Sequence, residues 1–234
     1  MSELRLLSYN IHGLRDDVDA VSAVIRACSA DVVCIQEAPR FLRWRSKRAA
    51  IARKAGLVVA TANRPAGLML MTTLRVKVLA THFALLPKSP KLHQRAVCWA
   101  SLLVDDQQWS VASVHFSLSG DERVSHMTPL WAALPSYESG PLVVAGDVNE
   151  EPQGPVWQEL STRLVDAWAT KGEGHGNTFS AQQPHKRIDG IFVSRDIDVV
   201  NCRSVDDVAG LTDASDHLPV LATLRSAPRA QSRR

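Results

Sequence analysis

The sequence has little that would mark an exported, membrane-bound or thiolate-metal protein. Its 234 residues hold only four cysteines, Cys28, Cys34, Cys98 and Cys202, with no C-x-x-C spacing and no clustering with histidine. That excludes the usual structural zinc arrangements, and the apolar surroundings read as those of reduced core thiols. No apolar run approaches the roughly 20 residues needed to span a bilayer. The opening Met-Ser-Glu-Leu-Arg carries charge where a signal peptide needs an apolar stretch. A soluble, cytoplasmic monomer without a membrane anchor is the expectation, since reducing conditions leave such thiols free. An excess of charge is lacking too. The formal net charge is +3, and Arg229, Arg233 and Arg234 of the C-terminal tail account for it. Global charge therefore says nothing about a polyanionic partner, and the basic signal is local, in the run from Arg40 to Lys54.

What is present suits one large globular domain, because 45% of the residues are hydrophobic. The domain is expected over residues 1–225, with a disordered basic tail at 226–234. Leu4–Tyr9 reads as a strand ending in the polar turn Asn10-Ile11-His12-Gly13. Val18, Val21, Val24, Ile25 and Cys28 then recur at helical spacing behind Asp16-Asp17, and Asp31–Ile35 reads as a second strand. Strand, helix, strand opens an α/β layered fold. From Arg40 to Ala55 the spacing predicts an amphipathic basic helix, with Phe41, Trp44, Ile51 and Ala55 near one side. Candidate strands follow at Leu57–Thr61, Gly67–Thr72, Val76–Phe83, Ala96–Val104 and Trp109–Phe116, expected to be antiparallel neighbours. Asp121–Leu134 reads as helical with a kink or restart at Pro129, Pro141–Ala145 as a buried strand and Pro155–Leu160 as a short helix. Ile188–Ser194 and Leu218–Leu224 read as strands.

A set of polar residues shares one feature: Asn10, Glu37, His115, Asp147 with Asn149, Asp189, and Asp216 with His217 each sit at an apolar strand's end or in a turn beside it. Singly, such residues are most often caps or turn formers. Together they match what phosphoester hydrolysis needs: a hard cation for phosphate oxygens, a base for water, and donors for developing negative charge. Oxygen donors without thiolates favour Mg2+ or Mn2+ over zinc.

Ser8-Tyr9-Asn10-Ile11-His12-Gly13, Ile35-Gln36-Glu37, Gly146-Asp147-Val148-Asn149, Arg187-Ile188-Asp189 and Ser215-Asp216-His217-Leu218-Pro219-Val220 resemble, in order, the signature blocks of the endonuclease/exonuclease/phosphatase superfamily. The resemblance spans residues 4–224. It implies a four-layer α/β sandwich of two packed mixed sheets flanked by helices, like deoxyribonuclease I, with the active site at one end of the sheets. It implies that Glu37 is the principal metal ligand, with Asn10 and Asp216 near the metal or its waters. Asp147 would orient or deprotonate the attacking water, and Asn149 would position the phosphate or that aspartate. His217 would bind a phosphate oxygen and be held by Asp189, unless Asp189 merely pairs with Arg187. His115 matches a strand-end histidine of the deoxyribonuclease I and sphingomyelinase branches, where it would act as general acid. Substrate contacts are expected from Arg95, Arg40, Arg43 and His12, whereas His82 and His93 have no motif around them.

The resemblance leaves the substrate open. The abasic-site branch carries a mid-chain tyrosine and an aromatic-rich block before its Arg-Ile-Asp; here the only tyrosines are Tyr9 and Tyr137, and that block is Gly176-Asn177-Thr178-Phe179-Ser180. The basic segment after Glu37 favours a nuclease acting on DNA or RNA. A phospholipid, phosphoinositide or small-molecule phosphoesterase is the alternative, and a non-catalytic binding module on the same scaffold is a third reading.

Overall fold

Two-residue alternation along the strands decides which side chains meet. The computed structural model describes residues 2–61, 66–136 and 140–226, so the 227–234 part of the expected tail and Tyr137 lie outside the described residues. In chain order the first half holds β1 (Ser2–Asn10), α1 (Val18–Ala27), β2 (Val32–Gln36), α2 (Trp44–Ala55), β3 (Val58–Val59), β4 (Met69–Thr72), β5 (Lys77–Leu85), β6 (Ala96–Val104) and β7 (Gln107–His115). The second half holds α3 (Gly120–Ser125), α4 (Met127–Ala133), β8 (Leu142–Asp147), α5 (Pro155–Arg163), β9 (Val165–Asp166), α6 (Ala167–Lys171), β10 (Gly172–Glu173), β11 (Asp189–Val193), β12 (Ile197–Ser204), α7 (Leu211–Ala214) and β13 (Val220–Ser226).

The strands form two mixed sheets, one ordered β10-β12-β13-β1-β2-β4-β3 and the other β5-β6-β7-β8-β11-β9. β1 pairs in parallel with β2, as β7 does with β8, and the other large pairings are antiparallel. Leu4, Leu6, Val32 and Cys34 of the first sheet pack against Cys98, Trp109, Val111, Val143 and Ile191 of the second. On the outer face of the first sheet, Leu7, Tyr9, Val33 and Ile35 meet Val21, Val24 and Ile25 of α1 and Ile51 and Ala52 of α2. On the outer face of the second, Ala112, Val114 and Val144 meet Leu130 of α4 and Val156, Trp157 and Leu160 of α5. Helix, sheet, sheet, helix is the expected four-layer sandwich. All four cysteines are buried and free, and among the described residues no helix is long and apolar enough to cross a membrane.

Several expectations change in detail. The candidate strands between Leu57 and Phe116 are not one antiparallel run: β3 and β4 belong to the first sheet, and β5, β6 and β7 to the second. α2 begins only at Trp44, behind Arg43 in the left-handed region at φ 58°. Arg40 and Phe41 therefore precede the helix, and Phe41 is 75% exposed rather than packed on its apolar side. The helix expected over Asp121–Leu134 divides at His126 into α3 and α4. Pro129 lies in the first turn of α4, where a missing N–H is tolerated, and its missing bond falls four residues back, at the break. β12 escaped the sequence reading because its alternation shifts register between Val199 and Asn201. α6 and α7 span five and four residues, too few to show a helical period. Ser226, expected in the tail, pairs with Ser2 and Ile197 as the last residue of β13.

Gly146 shows how tightly β7 and β8 approach beside the polar end of the sheets. A Cβ there would lie 1.9 Å from the carbonyl oxygen of Val114. Gly146→Ala should force the strands apart and destabilise the fold by about 1–3 kcal/mol, lowering the thermal midpoint by about 5 °C. A calorimetric midpoint equal to that of the wild type would contradict the close approach.

Candidate active site

The alternation that sends Leu4 and Leu6 into the inter-sheet core also turns Ser8 and Asn10 inward, at the end of β1. In the same way Val32 and Cys34 place Gln36 inward, Trp109 and Val111 place Ser113 and His115, Val143 and Ala145 place Asp147, and Ile191 and Val193 place Asp189. Polar side chains from both sheets thus converge where the apolar layer ends. Gln36 Nε2 ties the sheets together by donating to Ser113 Oγ at 3.1 Å and to the Cys34 carbonyl at 3.2 Å.

Asp147 is the meeting point and is only 1% exposed. Its Oδ2 accepts from Asn10 Nδ2 at 3.0 Å, and its Oδ1 from the backbone N–H of Asn149 at 2.8 Å. His115 lies opposite it on β7 and Asp189 opposite it on β11, so one rung of three neighbouring strands carries all three. His115 Nε2 is 3.3 Å from Asp147 Oδ2, and His217 Nε2 is 3.9 Å from the same oxygen. His217 Nδ1 is 2.9 Å from Asp189 Oδ2, which also accepts from the Thr178 hydroxyl at 2.6 Å. Asp189 is not the partner of Arg187. That guanidinium pairs with Asp166 at 2.9 Å and lies between the rings of Trp157 and Trp168.

Two buried carboxylates on adjacent strands demand a compensating charge. Burial pushes the Asp147 carboxyl up, and the neighbouring Asp189 pushes it further, against the opposing pull of His217 and the Asn10 and Asn149 donors. For His217, burial alone would favour the neutral ring, but Asp189, Asp147 and Asp216 outweigh it and raise the imidazole to about 10. His115 goes the other way: burial, then the cations of Arg95 and His217, hold it well below its ordinary value. At neutral pH His217 is the cation of the cluster, and His115 is a neutral ring.

A cleft of about 780 Å³ opens over this cluster, lined by Asn10, His12, Glu37, Arg40, Arg95, His115, Asp147, Asn149, Asp216 and His217 among others. Glu37 follows β2 with φ 57°, a left-handed turn that breaks the strand's alternation. Its half-buried carboxylate has no hydrogen bond or ion pair among the described residues. Asp216 is half-buried, 3.9 Å from His12 Nε2, while His12 Nδ1 pairs with Asp16 at 2.7 Å. Asn149 adopts φ 54° and its Nδ2 donates to the Phe116 carbonyl at 3.1 Å, so it holds Asp147 through its backbone. Burial disfavours the charge of Arg95, which Asp147 and Glu37 support, and its buried Nε has no partner among the described residues. Of the candidate substrate contacts, Arg43 alone does not line the cleft, because it caps α2 instead. His93, Arg15, Lys186 and Phe179 also line it. Thr178 and His93 were missed for a shared reason: each is brought to the site by a loop with no local pattern of its own.

The donor chemistry fits a hard divalent cation at Glu37, whose uncommitted carboxylate lines the same cleft as Asp216 and Asn10. Asp147, Asp189 and His217 also offer ligand atoms within 4.8 Å of one another. In that trio His217 Nδ1 is already engaged by Asp189, and the imidazolium offsets one of the two carboxylates.

The His217 contribution to stability is fully present below the ordinary histidine value of about 6.5, and it is lost as pH rises through about 10. In EDTA, the urea midpoint of the wild type should therefore fall at the alkaline end of a series from about pH 6 to 10.5. Asp189→Asn should lack that component and lose stability on the acid side, where the buried ring must charge without its partner. Parallel profiles for the two proteins would contradict the pairing.

Known proteins place this geometry. A model described as Endonuclease/Exonuclease/phosphatase family matches residues 7–217, while no curated protein matches the chain. Among solved structures, a functionally unknown conserved protein from Enterococcus faecalis V583 superimposes with TM-score 0.79 at 21% identity, covering 96% of this chain and 100% of its own. A mannosyl-6-phosphatase from Bacteroides thetaiotaomicron VPI-5482 gives 0.79 at 15% identity, covering 95% and 99%. D. rerio TDP2 complexed with a single-strand DNA product gives 0.75 at 17% identity, covering 97% and 100%. With nearly the whole described chain matched and the expected blocks gathered around one cleft, this protein belongs to the endonuclease/exonuclease/phosphatase family, whose members are phosphoesterase hydrolases.

Proposed function

We propose that this phosphoesterase hydrolyses phosphodiester bonds of a nucleic acid, with Mg2+ or Mn2+ held at Glu37 near Asn10 and Asp216. The observation that carries the reading is the buried Asp147, anchored by Asn10 and Asn149, facing a cleft in which Glu37 and Arg95 stand uncommitted. The family is generally divalent-metal dependent, and a bound cation would neutralise phosphate oxygens.

The chain's own residues supply the rest. Asp147 orients the attacking water and takes its proton, a task its raised affinity for protons suits. The water oxygen bonds to phosphorus as the bond to the leaving oxygen breaks, and that oxygen keeps the bonding pair and takes a proton from solvent. His217, kept cationic by Asp189, faces the negative charge that develops, and Arg95 receives a phosphate oxygen. His115 is buried and neutral, so it acts as a hydrogen-bond donor that fixes Asp147 or the leaving oxygen, in place of the general acid expected from sequence. Arg40, Arg15 and Lys186 on the cleft wall suit a substrate carrying several phosphates. The similarity to a TDP2 complexed with single-strand DNA product agrees with that choice, whereas the mannosyl-6-phosphatase likeness makes a sugar phosphate the competing substrate.

The test is hydrolysis of single- and double-stranded DNA, RNA, bis-p-nitrophenyl phosphate, p-nitrophenyl phosphate and a phosphoinositide with Mg2+, Mn2+ or EDTA. Nucleic acid should be cleaved only with metal. Asp147→Asn should lower kcat by about 10²- to 10⁴-fold, and Glu37→Ala should raise the metal concentration required. Turnover confined to monoesters or lipids would overturn the substrate, and full activity of Asp147→Asn would overturn the site.

A further inference from the structure

The turn between β2 and α2 carries Phe41, 75% exposed, and Leu42, 84% exposed, and Leu118, in the loop after β7 of the other sheet, is 75% exposed. Phe41 and Leu118 both line the cleft. Large apolar groups left in water at the mouth of a site point to contact with a ligand. The turn is also fixed in place. The Ala38 N–H donates to the Gly67 carbonyl at 2.7 Å, buried Arg48 donates to the carbonyls of Pro39 at 2.8 Å and Leu68 at 2.9 Å, and the Trp44 N–H donates to the Phe41 carbonyl at 3.0 Å. Phe41 is thereby presented outward on a backbone pinned on both sides.

The chemistry around the ring selects the occupant. The Arg40 guanidinium lies 5.2 Å from its centroid, and Arg43 and Arg45 follow within four residues. Inserting that turn into an acyl layer would carry guanidinium groups toward hydrocarbon at high cost. An unpaired base instead offers a π-face to the ring while its phosphate meets Arg40, which lines the cleft. We propose that Phe41 is a stacking platform for an unpaired nucleobase next to the scissile phosphate, which makes single-stranded nucleic acid the preferred substrate. This deepens the nuclease reading and rests on it. The base lies on Phe41, the adjoining phosphate reaches Arg40, and the scissile phosphate sits at Arg95. Leu118 closes the far side of the mouth. A duplex, with its bases stacked on one another, cannot use the platform without fraying.

Steady-state kinetics on a single-stranded oligonucleotide, the matching duplex and bis-p-nitrophenyl phosphate, with Mn2+, test this in wild type, Phe41→Ala, Phe41→Leu and Phe41→Trp. Phe41→Ala should lower kcat/KM for the single strand about 10-fold more than for the small diester, mainly through KM. Phe41→Trp should restore it and Phe41→Leu should not, because only the indole can stack. Equal rescue by Leu and Trp would overturn stacking. Wild-type cleavage of single strands that no Phe41 variant alters would overturn the platform and leave the nuclease reading intact. No cleavage of any nucleic acid would overturn both. Binding to phosphatidylglycerol vesicles that Phe41→Ala abolishes, with oligonucleotide kinetics unchanged, would assign the turn to lipid instead.

Discussion

The Asn10 side chain donates to Asp147 across the gap between the two sheets, and the site is organised around that 3.0 Å contact. A carboxylate so buried needs its lone pairs met, and the donors come from β1 on one side and from the Asn149 backbone on the other. Strand alternation then fixes which neighbours it has. Residues an even number of positions apart share one face of a strand, so His115, Asp189 and Gln36 arrive there for the reason that Val111, Ile191 and Cys34 are in the core. A one-residue slip in β8 would turn Asp147 outward and leave Asn10 without its acceptor.

The charges follow from this crowding. Asp147 and Asp189 occupy facing positions on adjacent strands, and His217, arriving from the turn before β13, is the cation that lets both persist in a dry environment. Thr178 supplies a neutral donor where a further charge would upset the balance. Arg95 and Glu37 line the cleft over this cluster, and the buried Arg95 Nε has no hydrogen-bond partner among the described residues. The polar groups are therefore divided between a buried cluster, in which Asp189 Oδ1 has no partner among the described residues, and an open wall.

Much of this was legible in the sequence because the site residues end strands that announce themselves. Asn10, Glu37, His115 and Asp147 each close an apolar run and Asp189 opens one, and Asp17 caps α1 with bonds to the N–H groups of Asp19 and Ala20, as the acidic pair suggested. What was not legible depends on tertiary placement. Phe41 was assigned to a helix face because its spacing from Trp44 and Ile51 is helical, and only the left-handed Arg43 separates it from α2. Thr178 reaches the buried cluster, and His93 the cleft wall, on irregular loops. The proton state of His115 depends on burial beside Arg95, which no local pattern records.

The division between cluster and wall is tested most directly by anomalous diffraction from crystals soaked in Mn2+. A single strong peak is expected within coordinating distance of the Glu37 carboxylate, with Asp216 and the Asn10 carbonyl oxygen nearby and the His217–Asp189 pair undisturbed. A peak bound by Asp147, Asp189 and His217, with that pair broken, would contradict it.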